Sequence, residues 1–535
     1  MQLNPPSHPW IRRYNLKRFA LATDQVIPLL VTLTLILGAL LRLVLAWREL
    51  TILDTLFFPD DTYISLGIAR NIGLGHGSTL DFHTTTNAYQ PLYVLLMAPV
   101  YWLFPQDRVL PIHLAVTFLG LAGVATGWYV YAITRYLLTP LHGLIACVIW
   151  LFDATILSHN LNGLETGLAL LGIAASAHWY LTRIRARVDA PLRDWLILGA
   201  LTGLTLFTRV DQAFLLAAIG VDLLLLRRNF HTFRQLCLVG IVALLINAPW
   251  ITFGFWIGAG PMPESGPAIR FHALAELAPV PLLLRGLFIS HALLQPLLTT
   301  PWSTLVLLVS GIVATIYIRR ARPQPMGALW APVLHKVQPL RFALLYGIMI
   351  LLAYGLFVPA LWFFPRYLQP LALFLLIGAV AIIPDLTRLA RRKQRLLGTA
   401  LLLLLLGEIV GSARFLWITP APNGYLGIAQ WVNSTLAGAT VGSYQTGALS
   451  YWGDQVQIVN MDGIVDRTIL AARRQGQLGA ALQAREVDWV IHWSKTPGFL
   501  PDGDLSLLQY QEPISAVQTW DFQWHLFKVA PSKAQ

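Results

Sequence analysis

The sequence has 535 residues, of which 56% are hydrophobic and only 12% are charged. This excludes an ordinary soluble protein, whose surface needs roughly a quarter charged residues. The net charge of +12 does not indicate nucleic acid, because the basic residues form short clusters between apolar runs, as in loops that face anionic lipid. Cys147 and Cys237 both fall in apolar segments and indicate neither a disulfide framework nor a cysteine metal site. The composition predicts a polytopic membrane protein.

Apolar runs of about bilayer length predict most of the chain to be membrane helices. The first run, 26–46, follows a basic segment and has no small-residue cleavage site after it, so we expect a retained helix rather than a signal peptide. Two segments that contain prolines, 90–104 and 281–298, leave their crossing open. The other predicted helices lie at about 111–132, 141–157, 164–182, 194–208, 212–226, 235–257, 301–318, 341–363, 366–385 and 396–417. The predicted fold class is mostly α, with about 11 to 13 membrane helices.

Clusters of arginine and lysine between these runs predict the orientation, because such clusters favour the cytoplasm. The N-terminus is then cytoplasmic, and the loop 47–89 lies outside. A full crossing by 90–104 would invert the following helices, so an incomplete crossing is favoured there. The cytoplasmic clusters are 12–18, 183–187, 227–228, 319–322 and 388–395.

After Trp417 the apolar runs shorten to strand length, which indicates a separate domain. We therefore expect a membrane domain over 1–417 and a small extracytoplasmic α/β domain over 418–535. Short strands are predicted at 439–444, 456–462 and 487–493, and the helical patterns between them lie near 424–437 and 466–484.

The polar stretch 57–90 stands out because two adjacent carboxylates, Asp60 and Asp61, follow a long apolar run. Adjacent carboxylates repel each other unless a cation, a shared proton or a substrate relieves them. The alternative is an acidic helix start that the helix dipole favours.

The residues after this pair predict a short amphipathic helix. Ile64, Ile68 and Ile72 recur at helical spacing, so the helix is expected to lie along the membrane surface and to end at 75–77. His76 and His83 flank the loop but lack close partners at ligand spacing. Solvated loop histidines are therefore favoured over a metal site.

Further polar residues fall near the predicted outer helix ends, where we expect ionisable groups to line a shared cavity because exposing them to lipid is costly. A cavity with both signs suits an anionic substrate, because arginines hold a phosphate while a carboxylate accepts a proton from an attacking hydroxyl. The sequence has no Gly-rich phosphate loop, which favours a lipid-phosphate donor over a nucleotide. The outer-face set is Asp60, Asp61, Asn87, Gln90, Asp153, Glu165, Arg209, Asp211 and Arg366.

Structural alternatives stay open for four of these residues. Arg209 and Asp211 also fit a self-contained pair at a helix boundary. Arg366 fits a side chain that reaches toward lipid headgroups. Glu165 fits a helix-start carboxylate after Asn162.

Several motifs carry a resemblance to a known family. The order of PDD, YISLGIARNIGLGHG and TNAYQPLYVLL resembles the GT-C superfamily of membrane glycosyltransferases, in the branch of protein O-mannosyltransferases and aminoarabinose transferases. NGLETGLALL, LTLFTRVDQAFLL and PRYLQPLALFLL are similar to further segments of bacterial members, and VGSYQTGALSYWGDQVQIVNMDGIVD resembles their outer C-terminal domain. The resemblance spans most of the chain.

The resemblance implies a bacterial inner-membrane enzyme with a polyprenyl-phosphate sugar donor, inversion at the anomeric carbon, and a hydroxyl acceptor on a glycan, lipid or protein. Asp60 or Asp61 would be the general base; the DD motif, where O-mannosyltransferases have DE, leaves the choice open. Arg209 or Arg366 would neutralise the departing phosphate. No nucleic-acid partner and no certain cofactor are implied, and a divalent metal stays open because members differ. The expected substrate-binding residues are Asn87, Gln90, Glu165, Arg209, Asp211, Arg366 and Tyr367.

Two other classes of protein also fit many apolar helices. A transporter or lipid flippase is disfavoured because the sequence has no repeated half and no matching interrupted helices. A receptor or assembly module is disfavoured because so many helices exceed the anchoring that it needs.

Overall fold

The structure is a computed structural model that describes residues 9–295, scattered positions from 304 to 331, and residues 334–383, 391–419, 424–493, 508–519 and 522–530. The helix predicted at 301–318 lies largely outside the described residues. From residue 9 to residue 413 the described helices are α1 (Pro9–Ala46), α2 (Leu50–Leu56), α3 (Asp60–Gly73), α4 (Pro91–Leu103), α5 (Leu110–Leu137), α6 (Pro140–Phe152), α7 (Ala154–Leu161), α8 (Thr166–Trp179), α9 (Leu192–Thr208), α10 (Ala213–Leu226), α11 (Phe230–Trp256), α12 (Ser265–Leu277), α13 (Leu282–Leu293), α14 (Arg341–Phe357), α15 (Phe364–Tyr367), α16 (Gln369–Val380) and α17 (Arg391–Ala413).

The mostly α, polytopic fold class is confirmed. Within the described ranges, two bent helix pairs would raise the number of candidate spans from five to seven if each pair makes one span. The pairs are α6 with α7, bent by 57°, and Leu361–Tyr367 with α16, bent by 52°. The five helices that are long and apolar enough by themselves are Val26–Ala46, Leu110–Leu137, Phe230–Trp256, Leu334–Phe357 and Gln394–Leu416.

The segment predicted to cross incompletely, 90–104, forms the short helix α4. Its 13 residues extend about 20 Å at 1.5 Å per residue, less than the hydrocarbon thickness of about 30 Å. This length fits an incomplete crossing.

The amphipathic helix predicted for the first loop is present as α3, but its surroundings differ from the prediction. Most of its residues are buried, including Thr62, Tyr63 and Ile68, because the C-terminal domain covers the side that was expected to face solvent. On the other side α3 packs against α4 so closely that a Cβ atom on Gly73 would lie 2.3 Å from the carbonyl oxygen of Ala98. The helix is therefore enclosed and does not lie on an open membrane surface.

The C-terminal part contains four described helices and one five-stranded sheet, in the strand order β2-β1-β3-β5-β4. β1 pairs in parallel with β2 and β3, while β5 pairs antiparallel with β3 and β4. Strands β1 to β3 confirm the three predicted strands, whereas β4 and β5 were not predicted. The elements are α18 (Tyr425–Thr435), β1 (Thr440–Ser443), α19 (Gly447–Trp452), β2 (Gln457–Asn460), α20 (Arg467–Arg474), α21 (Leu478–Ala484), β3 (Trp489–His492), β4 (Leu508–Thr519) and β5 (Phe522–Val529).

One hydrophobic core continues from the first loop and its neighbouring helices into the C-terminal part. It joins Tyr63 on α3 and Tyr93 on α4 to Ile428 on α18, Leu449 on α19 and Ile491 on β3. The C-terminal part therefore packs directly on the first loop.

Candidate functional site

Two adjoining cavities lie where α3, α12, α14 and the turn around Arg366 meet. The larger has a volume of about 720 Å³ and mainly apolar walls, which include Phe214, Leu274 and Phe357. The smaller has a volume of about 60 Å³ and is lined by Asp61, Glu165 and other polar groups. The residues that line both cavities are Gln90, Arg209, Ser265, Ile269 and Tyr367.

Asp61 and Arg366 form an ion pair in the wall of the smaller cavity. Asp61 lies in the first turn of α3, and its Oδ2 accepts a hydrogen bond of 3.0 Å from Nη1 of Arg366. The Asp61 side chain keeps 30% of its surface exposed. The guanidinium of Arg366 lies over the rings of Phe363 and Tyr367, at 4.9 and 5.2 Å from their centroids. Its Nε is buried and has no hydrogen-bond partner among the described residues, so one donor of this arginine is unused.

Arg209 lies on the other side of this cavity and is held by two carboxylates. Its Nη1 donates to Glu165 at 2.9 Å, and its Nη2 and Nε donate to Asp211 at 2.7 and 3.2 Å. Tyr354 donates its hydroxyl to Asp211 at 2.6 Å, and the guanidinium lies 4.7 Å from the centroid of the Tyr367 ring. The predicted pair of Arg209 and Asp211 is therefore present, but Glu165, 44 residues earlier, completes it. Arg209 uses its donors on protein groups.

The two arginines thus have different tasks. Three carboxylates, Asp61, Glu165 and Asp211, surround the two guanidinium groups of Arg209 and Arg366, which leaves one carboxylate in excess. A phosphate entering from the larger cavity would compete with two carboxylates at Arg209 but would meet an unused donor at Arg366. This arrangement favours Arg366 as the group that contacts a phosphate.

Asp60, one residue from Asp61, does not line either cavity. It is only 4% exposed, and its two oxygens accept hydrogen bonds from the backbone amides of Gly447 and Ala448, at 2.8 and 2.9 Å. Burial raises the pKa of Asp60 to about 7, although the two amide donors oppose this rise and the charges of Asp61 and Asp462 add to it. The two adjacent aspartates therefore have opposite environments: one faces the cavity and the other holds a helix start in the C-terminal domain.

Two of the remaining predicted residues line the cavities, and the third holds a neighbouring loop in place. Gln90 lines both cavities, and its Oε1 is buried with no partner among the described residues. Tyr367 stacks between Tyr354 and Phe363, at 5.0 and 5.4 Å between centroids. Asn87 lies outside both walls, because its amide is engaged with the backbone of residues 262 and 264. It fixes the loop that leads into α12 and is not placed to touch a substrate in this structure.

Sequence reasoning missed several wall residues. Arg270 on α12 and Arg474 on α20 line the larger cavity, and Ile464 of the C-terminal domain lines the smaller one. Tyr354 lies within an apolar helix whose pattern gives no sign of a polar role. The outer position predicted for 258–280 was the only signal that pointed toward α12, and no signal pointed to residues 464 and 474.

A divalent metal finds no obvious set of ligands here. Among the described residues, no three or more His, Cys, Asp or Glu side chains are grouped to hold a metal ion. Asp61 has a guanidinium beside it rather than further oxygen ligands. These residues do not fit a metal centre of that kind, and the chemistry below uses none.

Comparisons with known proteins agree with this architecture. Residues 91–253 match the family described as dolichyl-phosphate-mannose-protein mannosyltransferase, and residues 420–532 match a domain of unknown function, DUF8728. A search among curated proteins finds no match.

Solved structures with similar folds are also found. The structure of ArnT from Cupriavidus metallidurans bound to undecaprenyl phosphate is 14% identical, with a TM-score of 0.52 over 92% of this chain and 97% of that chain. The Archaeoglobus fulgidus oligosaccharyltransferase tethered with an acceptor peptide is 12% identical, with a TM-score of 0.51 over 86% of this chain and 69% of that chain. The chain therefore shares the fold of these two solved structures, and its residues 91–253 are similar to the mannosyltransferase family.

Proposed function

We propose that this protein transfers a sugar from a polyprenyl phosphate to an acceptor hydroxyl. The observation that carries the proposal is the ion pair of Asp61 and Arg366 in a small polar cavity that adjoins a large apolar one. The apolar cavity suits the isoprenoid chain of a donor, and the polar cavity suits the sugar and its phosphate. The names of two relatives support this donor class, since one is a dolichyl-phosphate-mannose enzyme and the other was solved with undecaprenyl phosphate.

Asp61 is the general base in this proposal. The acceptor hydroxyl attacks the anomeric carbon from the face opposite the phosphate, and Asp61 takes the hydroxyl proton as the new glycosidic bond forms. The bond between the anomeric carbon and the phosphate oxygen breaks, and the electron pair leaves with the phosphate. The products are the inverted glycoside, the free polyprenyl phosphate and a protonated Asp61.

Arg366 stabilises the leaving phosphate. Its unpaired Nε is available to an oxyanion while Nη1 stays on Asp61. The same guanidinium then contacts the base and the leaving group. As Asp61 loses its negative charge on protonation, the phosphate beside the guanidinium gains one. Arg209 keeps Glu165 in the wall of the sugar pocket.

The donor sugar is expected to be a hexose or a pentose, and the acceptor a glycan, a lipid or a protein. We further propose a location in a bacterial inner membrane, with the first loop and the C-terminal domain outside the cytoplasm. A transporter or flippase is not favoured, because the fold matches are to glycosyltransferases and because a base next to an arginine with an unused donor has no evident use in transport.

The test uses membrane vesicles that contain the protein and are supplied in turn with undecaprenyl phosphates carrying labelled hexoses or pentoses. Asp61→Asn should lower transfer of the label out of the donor lipid by about a hundredfold or more, because positioned general bases contribute about 10² to 10⁴. Glu276→Gln, which removes an exposed carboxylate of α12, is the matched control and should keep the wild-type rate. Undiminished transfer by Asp61→Asn would rule out this base.

Arg366→Gln should lower kcat as well as raise the donor KM, since it removes a phosphate contact that strengthens as charge develops on the leaving group. Movement of the labelled lipid across the vesicle membrane without loss of its sugar would instead favour the flippase.

A further inference from the structure

Two carboxylates of the first loop hold two helix starts of the C-terminal domain. Asp60 accepts from the amides of Gly447 and Ala448 at the start of α19. Asp54 is 1% exposed and accepts from the amide of Leu426, at 2.9 Å, at the start of α18. A carboxylate at a helix start satisfies amide groups that have no partner within the helix. These bonds join segments that are 387 and 372 residues apart in the chain.

Both contacts depend on glycines that allow a very close approach. A Cβ atom on Gly447 would lie 2.1 Å from the backbone oxygen of Asp60, and a Cβ atom on Gly424 would lie 1.8 Å from Oδ2 of Asp54. At Gly447 the obstacle is backbone, so any larger residue would push the C-terminal domain away from the loop. At Gly424 the obstacle is a side-chain oxygen, so a larger residue would displace the Asp54 carboxylate.

The helix that carries Asp61 is fixed from both sides. On the membrane side, the Thr62 hydroxyl donates to the carbonyl oxygen of Asn162 at 2.6 Å. On the domain side, Tyr63 donates to Asp54 at 2.7 Å and packs against Tyr451 and Trp452, at 5.7 and 6.3 Å between ring centroids. Asp61 lies between the clamped residue Asp60 and these contacts in the first turn of α3.

The C-terminal domain also forms part of the wall of the smaller cavity. Ile464 lines it, and the neighbouring Asp462 holds the turn by accepting from the amide of Ile464 at 2.8 Å. His272 on α12 donates from Nε2 to the carbonyl oxygen of Asp462, at 2.7 Å. Docking of the domain therefore completes the cavity as well as the clamp.

We propose that Asp60 is a positioning residue that couples the C-terminal domain to the reaction site: through Gly447 and Ala448 it sets α3 so that Asp61 meets Arg366. The C-terminal domain is then a working part of the enzyme rather than an appended module. The expected change in kcat rests on the function proposed above. The expected change in hydrogen exchange is measured without substrate.

Two variants test the coupling from opposite sides. Asp60→Ala removes the acceptor, and Gly447→Ala forces the domain away without altering any charge or any residue of the membrane part. Each should lower kcat for transfer from the labelled undecaprenyl-phosphate sugar by about tenfold or more, because a displacement of about 1 Å at a reacting group costs up to about 10² in rate. The donor KM should stay within about twofold, because neither residue lines a cavity. Asp60→Asn keeps one acceptor oxygen and should recover part of the rate.

The matched control is Asp466→Ala. Asp466 is also fully buried at a helix start, where it precedes α20 and accepts from the amides of Thr468 and Ile469. It pairs with Arg485 and accepts from Thr84 of the first loop at 3.4 Å, but it makes no bond to α3, so it tests a contact between loop and domain that leaves α3 untouched. Its loss should expose the amides of α20 to hydrogen exchange and leave kcat within about twofold of the wild type.

Hydrogen exchange on the full-length protein in detergent gives the second readout. In Asp60→Ala and Gly447→Ala, the amides of 447–452 and 61–66 should exchange faster, while those of α5 stay protected. If Asp60→Ala fails to fold, Gly447→Ala decides alone. Wild-type kcat in both variants, or unchanged protection of 61–66, would overturn the proposal. If the wild-type protein transfers none of the sugars offered, the proposed function fails, and the exchange result still decides whether the clamp positions α3.

Discussion

At the scale of single residues, the site is organised by how each ionisable group is paired. Asp61 accepts a hydrogen bond from Arg366 and stays partly exposed, whereas Glu165 and Asp211 are almost fully buried against Arg209. A buried carboxylate that carries its charge is costly unless a cation of this kind pairs with it. Arg209 therefore holds the wall, while Arg366 keeps the capacity to bind an anion.

Replacing Arg209 with methionine should destabilise the protein strongly. The Arg209 side chain is 6% exposed, as is Glu165, and Asp211 is 10% exposed. Arg209→Met leaves both carboxylates buried without a cation, and breaking a buried pair in this way costs about 3 to 5 kcal/mol. Thermal unfolding of the detergent-purified protein measures the loss.

Arg234→Met is the control for this variant, because Arg234 on α11 is exposed and has no ion pair among the described residues, and such substitutions change stability by about 0.5 kcal/mol or less. Equal unfolding temperatures for the two variants would show that Arg209 is not needed to hold the wall.

At the scale of elements, α3 is the helix on which the site depends, because it is packed between α4 and the C-terminal helix α19. Gly73 marks the closest approach to α4, since its Cβ would lie 2.3 Å from a backbone oxygen. A backbone oxygen cannot move aside as a flexible side chain can, so the spacing of the two helices depends on this glycine.

Gly73→Ala should separate α3 from α4 and lower the unfolding temperature, with a cost of about 1 to 3 kcal/mol, as for overpacked sites. Gly220→Ala in α10 is the opposite case, because nothing lies within 4 Å of its Cβ position. There alanine should stabilise the helix by up to about 1 kcal/mol. A Gly73→Ala protein as stable as Gly220→Ala would contradict the close packing.

The contrast between predicted and observed elements has a physical cause. The membrane helices and the strands β1 to β3 were predictable because the length of each apolar run in the sequence indicates the element that it forms. β4 contains Pro513 and pairs with β5 through register shifts, which hide the alternation of a regular strand. The burial of α3 was missed because the cover comes from residues nearly 400 positions later, which no local periodicity reports.

Prediction of the site was also limited by tertiary contacts that the sequence does not report. The sequence analysis selected charged residues near predicted outer helix ends. Four of them, Asp61, Glu165, Arg209 and Arg366, line one cavity in the structure. The division of labour between Asp60 and Asp61 was not predictable, because adjacent residues in a helix point about 100° apart. What each one meets depends on the tertiary packing of α19 and of the turn at Arg366.

At the scale of the whole molecule, the junction of the C-terminal domain and the first loop is a continuous core that encloses three carboxyl groups. Asp54, Asp60 and Asp462 are each less than 8% exposed. Enclosed acids favour their neutral form, so proton binding and docking of the domain are linked.

This junction should make stability fall as pH rises. Burial raises the pKa of Asp54 to about 6 and the pKa values of Asp60 and Asp462 to about 7, from an ordinary value of 3.8. Between about pH 4 and pH 7 the folded protein therefore binds more protons than the unfolded chain, so the free energy of unfolding decreases with pH across that window and levels off above it. Unfolding temperatures in detergent from about pH 5 to about pH 8 measure the slope. Asp60→Asn cannot ionise and should flatten this slope even though it also lowers the starting stability. An unfolding temperature that rises through this window would mean that the three acids are ionised when folded, and that the junction is open to water rather than enclosed.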